Sequence, residues 1–144
     1  MGTRSLTFVY DGDVPVINIY RQYDGYPSGH GHELAQFLDS KTLVNGYGEQ
    51  NSVEANGMGC LAAQLIVQLK HGVGGIYIYP ISSTDCFQEY EYHVYEDKVI
   101  VKDPTAVIFE GTWEEFRQFI DDGNGVHSGE EYDRLSKQTQ NGRR

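Results

Sequence analysis

The sequence predicts an α+β domain: a mostly antiparallel sheet with two to three helices packed on one face. Three observations predict it. Short runs rich in β-branched and aromatic residues come in pairs joined by turn signals, as hairpins do. Two segments carry apolar residues at helical spacing, and a third opens on a capping box. The resulting order, β-β-α-α-β-β-β-β-α, lacks the regular strand–helix alternation that builds parallel sheets.

Taken in order, Thr3 to Tyr10 reads as a strand with Leu6, Phe8 and Tyr10 on one face. Asp11-Gly12-Asp13 turns the chain into a second strand, Val16 to Arg21. A glycine-rich connector leads to Glu33–Asp39, where Leu34, Phe37 and Leu38 mark a helix face. Lys41 to Ala55 is polar and broken by Asn45-Gly46 and Gly48, which predicts a long surface loop. Asn56 is placed to cap the strongest helix, Met58 to His71, whose Leu61, Leu65 and Leu69 share a face. Lys70 and His71 suit the negative end of its dipole, and Gly72 stops it.

Gly75–Ile81 and Glu89–Glu96 alternate as strands. Asp97-Lys98 turns into Val99–Lys102, and Asp103-Pro104 separates that from Ala106–Glu110. Thr112-Trp113-Glu114-Glu115 is the capping box of a last helix, with Trp113, Phe116 and Ile120 toward the core. Residues 1–123 form one domain, and residues 124–144 a polar, flexible tail.

Composition excludes some functions. A formal net charge of −10 argues against general nucleic-acid binding and against docking on an anionic membrane. No run approaches the roughly 20 apolar residues of a membrane span, and the N-terminus lacks a signal-peptide pattern. Gly2 fails as a myristoylation site because position 6 is Leu, so a cytoplasmic protein is expected. Two cysteines make no disulfide framework; Cys60 reads as a small core residue and Cys86 as part of an exposed turn.

The chemistry concentrates between Tyr20 and His32. Arg21, Tyr23, Asp24, Tyr26, Ser28, Gly29, His30, Gly31 and His32 crowd one strand-to-helix connector, more bulky polar side chains than a plain turn needs. Ser28-Gly29-His30-Gly31 runs into a helix start, where backbone N–H groups and the positive dipole end suit an anion, with Arg21 across the loop. Asn56, Gly57 and Gly59 make a second glycine-rich helix start. Neither segment is a Walker A motif or a dinucleotide fingerprint. The competing reading is that these glycines only permit turns and close packing.

His30 and His32, with Asp24, Glu33 or His93, make an incomplete metal set, and hydrogen-bonding histidines are the better expectation. No metal or cofactor is therefore predicted. Ser28 lies near both histidines, but no nucleophile-elbow pattern surrounds it. The start Met-Gly-Thr-Arg is similar to amidases that begin Met-Cys-Thr-Arg, but Gly2 stands where their nucleophile would be. The strand tyrosines Tyr77, Tyr79, Tyr90, Tyr92 and Tyr95 fit strand propensity, while the loop tyrosines lack that explanation.

The segments MGTRSLT, YRQYDGYPSGHGHELAQFL, NGMGCLAAQLIVQLKHGVGGIYIY and FEGTWEEF together resemble a family of small bacterial and phage proteins, over residues 1 to about 120. The resemblance implies a bacterial or phage cytoplasmic setting and supplies no activity, cofactor or catalytic residue.

The leading expectation is a binding protein for a small polar, phosphorylated or nucleotide-like ligand, sequestering a host signal in phage–bacteria conflict. The alternative is a protein-interaction module, an inhibitor or regulator with an acidic, tyrosine-rich face. The third is a small hydrolase using His30 or His32 as base. Homo-oligomerisation stays open.

Overall fold

A computed structural model describes residues 2–46, 51 and 53–123. The fold is α+β, as the pattern predicts. Strands β1 (Ser5–Asp11) and β2 (Val14–Arg21) form the first hairpin, in which Ser5 faces Arg21 and Asp11 faces Val14. A π-helical turn, Pro27–Gly31, leads into α1 (His32–Asp39). The short strands β3 (Thr42–Val44) and β4 (Glu54–Asn56) precede α2 (Gly57–Leu69). Then come β5 (Ile76–Tyr79), β6 (Tyr90–Val94), β7 (Val99–Lys102), β8 (Val107–Gly111) and α3 (Trp113–Asp121).

The main sheet has the order β5-β2-β1-β6-β7-β8. Every neighbouring pair in it is antiparallel except β1 and β6, which run parallel. Parallel neighbours need a long crossover. Here it comprises β2, α1, α2 and β5, with the β3–β4 pair between the two helices.

The predicted loop Lys41–Ala55 is only partly irregular, because β3 and β4 pair in parallel as a separate two-stranded sheet. Runs of three residues carry too little periodicity to be read as strands. Residues 47–50 and 52 of that loop, and the tail 124–144, lie outside the described residues.

One face of the main sheet carries the helices. Val9, Ile19, Tyr92, Val94, Val99 and Val101 pack there against Leu34, Leu38, Leu61, Leu65 and Phe116 in one core. The face marked by Leu6, Phe8 and Tyr10 is the opposite one. Leu6 and Phe8 cluster there with Tyr20, and Tyr10, Tyr79 and Cys86 pack on them. Central strand β1 is therefore buried on both faces, and its helix side carries the polar Ser5 and Thr7.

Local signals account for most of the ends. Thr112 accepts from the Glu115 amide at 3.0 Å, and the Glu115 carboxylate accepts from the Thr112 amide at 2.8 Å. This closes the capping box of α3. Trp113 is only half-buried, because its Nε1 donates to the Tyr95 carbonyl at 2.8 Å instead of facing the core fully. Asn56 does not cap α2: its side-chain oxygen accepts from the Gly46 amide at 2.9 Å, tying the loop down. Lys70 leaves its helix end too, donating to the Gly74 and Ile76 carbonyls at 3.0 and 2.8 Å.

Candidate functional site

The connector from Tyr20 to His32 folds into a closed hydrogen-bond network. Arg21 lies at the β2 end, opposite Ser5, and its side chain is only 15% exposed. Its Nε donates to the Tyr23 carbonyl at 2.8 Å, Nη1 to His30 Nδ1 at 3.2 Å and Nη2 to Glu33 Oε2 at 3.0 Å. His30 is fully buried, and its Nε2 lies 2.7 Å from Thr7 Oγ1 on β1. A guanidinium only donates, so Nδ1 must accept and Nε2 carries the proton given to Thr7. Burial first, and the Arg21 charge second, pull the imidazole down to about 3, so it is neutral.

The amides from Gly29 to His32 are already used. The amides of Gly29 and His30 donate to the Tyr26 and Asp24 carbonyls at 2.9 and 2.8 Å. Gly31 donates to Tyr26 at a longer 3.4 Å, and His32 donates to the Gly29 carbonyl. The anion expected at Ser28–Gly31 would find these groups and the three donor nitrogens of Arg21 engaged.

The glycines here serve close packing: a Cβ on Gly29 would sit 2.6 Å from the Asp24 carbonyl oxygen. A Cβ on Gly31 would meet Ile120 at 3.2 Å. Asp24 adopts a left-handed backbone (φ 62°) and accepts from the Tyr26 hydroxyl at 3.2 Å. Ser28 Oγ is buried without a partner among the described residues, while Tyr23 and His32 are exposed. A Cβ on Gly2 would fall 2.4 Å from both the Gln22 carbonyl oxygen and the Tyr23 ring. A cysteine has no room there.

The second glycine-rich helix start lies at the other end of the sheet. Asn56, Gly57 and Gly59 border an open cleft of about 440 Å³ with Asp11, Cys60 and Glu96. Asp11 ends β1, six residues from Ser5, which is roughly 20 Å along a strand. The two helix starts therefore share no pocket. This cleft lies where the parallel strands β1 and β6 end, the side on which open α/β sheets take ligands.

What faces the cleft is chemically mixed. The first amides of a 13-residue helix have no partner within it, and the Asn56 side chain does not cap them. Gly57 takes φ 83°, and a Cβ on Gly57 or Gly59 would meet nothing within 4 Å among the described residues. Neither glycine is demanded by packing. Asp11 and Glu96 add two carboxylates at the rim, and Cys60 is half-buried beneath.

Comparison with family models, curated proteins and solved structures finds no match to this chain. The functional reading therefore rests on geometry.

Among the described residues, no group of three or more His, Cys, Asp or Glu side chains converges as a metal site. His93 lies on the helix-free face, across the sheet from His30. With His30 buried and both its nitrogens engaged, only His32 of the two loop histidines can meet a substrate. No helix among the described residues is long and apolar enough to cross a membrane.

Sequence reading missed Asp11, Cys60 and Glu96 because they join the cleft from three distant segments. It also missed a hydroxyl–imidazole–carboxylate chain on the helix-free face. Tyr10 Oη lies 2.6 Å from His93 Nδ1, and His93 Nε2 lies 3.0 Å from Glu91 Oε1. The alternation of Glu91, His93 and Tyr95 was the available signal, but Tyr10 is 83 residues away.

Proposed function

We propose that the protein binds a small polar, phosphorylated or nucleotide-like ligand in the cleft at the start of α2. The observation that carries this reading is open space in front of both glycines at the positive end of a long helix. A phosphate would accept from the first-turn amides. Asp11 and Glu96 would accept from hydroxyl or amine donors elsewhere on the ligand, and they would repel a ligand that is only anionic. In the bacterial or phage setting that the sequence resemblance implies, sequestering a host signalling nucleotide is the role such a site would serve.

Gly59→Ala separates stability from binding. Alanine in this first turn is expected to raise stability by at most about 0.5–1 kcal/mol, since no described neighbour would meet the methyl group. The same methyl group would enter the ligand's space. Thermal unfolding and calorimetry against nucleotides and phosphorylated metabolites check both effects. A ligand at 100 times its Kd stabilises the unmodified chain by about 2.7 kcal/mol. If no ligand raises the midpoint, or if Gly59→Ala binds as well as the unmodified chain, the site is wrong.

One observation favours the second reading, a protein-interaction module. Phe87 is 84% exposed and held at φ 59°, a backbone region costly for a bulky residue. Tyr77 is also exposed, on the edge strand β5. Affinity capture with Phe87→Ser as control tests it: a stoichiometric partner lost with the aromatic ring supports this reading, and a partner retained removes Phe87 from it.

A further inference from the structure

The chain Tyr10–His93–Glu91 lies outside the α2 cleft and has the order of a nucleophile, its base and the residue that orients the base. Glu91, His93 and Tyr95 alternate with the buried Tyr90, Tyr92 and Val94, so they point to the face without helices. A carboxylate only accepts, so His93 carries its proton on Nε2 toward Glu91 and presents a bare Nδ1 to the Tyr10 hydroxyl.

The chain is held from both sides. Gln88 Nε2 donates to the second Glu91 oxygen at 2.9 Å. Phe8 stacks on the His93 ring at 5.2 Å, and Tyr95 stacks on Tyr10 at 4.2 Å. The imidazole is 11% exposed and the Glu91 side chain 28%, so the chain is sheltered yet reaches solvent.

We propose that Tyr10 is the nucleophile of an ester-hydrolysing site, with His93 as its base and Glu91 as the residue positioning the imidazole. Burial, helped by Tyr95 and Glu91, holds the Tyr10 phenol well above its ordinary range. The hydroxyl therefore acts only through a base, and the base is in place. The substrate class follows from charge. An open cleft of about 500 Å³ adjoins Tyr95 and carries Asp13, Glu96 and Asp97 against Lys98. Lys98 is itself 3.6 Å from Glu110. Such a rim repels phosphate esters and accepts an uncharged carboxylic ester.

In the first step Tyr10 Oη bonds to the ester carbonyl carbon while its proton passes to His93 Nδ1. The ester C–O bond breaks, and the alcohol leaves with that proton. Water then attacks the acyl-tyrosine by the same route, releasing the carboxylic acid and restoring the phenol. The sum is ester plus water to acid plus alcohol.

The test uses the full chain and two probes. An aryl sulfonyl fluoride should form its O–S bond at Tyr10 with loss of fluoride, located by peptide mass spectrometry. The adduct should form about tenfold or more faster than at Tyr23, which is 54% exposed. p-Nitrophenyl acetate should give a burst of p-nitrophenolate that Tyr10→Phe abolishes. His93→Gln should slow both reactions about 100-fold. Glu91→Gln should lower kcat with KM held, which a merely structural role would not do selectively.

Labelling of Tyr10 no faster than Tyr23 in the unmodified chain would overturn the proposal, whatever the variants do. So would wild-type labelling of folded His93→Gln, because reactivity would then reflect access alone. Turnover of p-nitrophenyl phosphate in preference to the acetate would overturn the ester assignment.

Discussion

Below pH 6 and down to about 4, the unfolding free energy is expected to fall by about 1.4 kcal/mol per pH unit through His30. The folded imidazole is held at about 3, by burial first and by the Arg21 charge second. In the unfolded chain it titrates near its ordinary 6.5. Between those values the unfolded state holds a proton that the folded state refuses. The stabilisation is present above 6.5 and is lost as pH falls toward 3. Its full size is on the order of 5 kcal/mol, a large share of a small domain's stability.

Glu91 and Asp103 are held below the ordinary carboxylate range, Glu91 first by its bond to His93 and Asp103 first by the Thr105 amide. Their contributions are lost only at lower pH, where carboxylates protonate, so they leave this window to His30. Urea unfolding at half-unit pH steps measures the slope. His30→Gln can still donate to Thr7 and accept from Arg21 but cannot titrate there, so its slope should flatten. An equal slope in that variant would place the titrating group elsewhere.

Arg21→Ala is expected to cost about 2–4 kcal/mol, lowering the thermal midpoint by about 8–15 °C. Three acceptors lose their donor at once: the Tyr23 carbonyl, His30 Nδ1 and the Glu33 carboxylate. Of these His30 is fully buried, so no water replaces the lost bond there without opening the core. Arg21→Lys should rescue little, since one ammonium group cannot span a fork aimed at three separate acceptors. A ligand-binding arginine would behave differently, leaving the free protein's stability nearly unchanged. A loss under about 1 kcal/mol would show that the network does not hold the connector.

These expectations mark where sequence reading succeeds and stops. The first hairpin and the capping box of α3 were legible because their determinants lie within a few residues of one another. The composition of Tyr20–His32 flagged a segment in which Arg21 and His30 join a hydrogen-bond network that reaches the core, while Tyr23, Asp24 and His32 stay exposed. Burial of His30 was not legible, because its partner Thr7 sits on a strand 23 residues earlier. Asn56 looked like a cap, but the Gly46 amide competes for its side chain. The Leu6–Phe8–Tyr10 alternation marked one face of β1, and the strand's central place, buried on both faces, left no local signal. Parallel pairing of β1 with β6 leaves no local trace, and neither does the Tyr10–His93 contact that depends on it.

That parallel pairing also bears on how the chain is made. β1 leaves the ribosome roughly 80 residues before β6, about 4–16 s at common elongation rates. During that interval the β1–β2 hairpin can form, but one edge of β1 has no strand beside it. Unpaired edges recruit other strands. The nascent chain thus has a window in which the strand destined for the middle of the sheet is its most vulnerable edge.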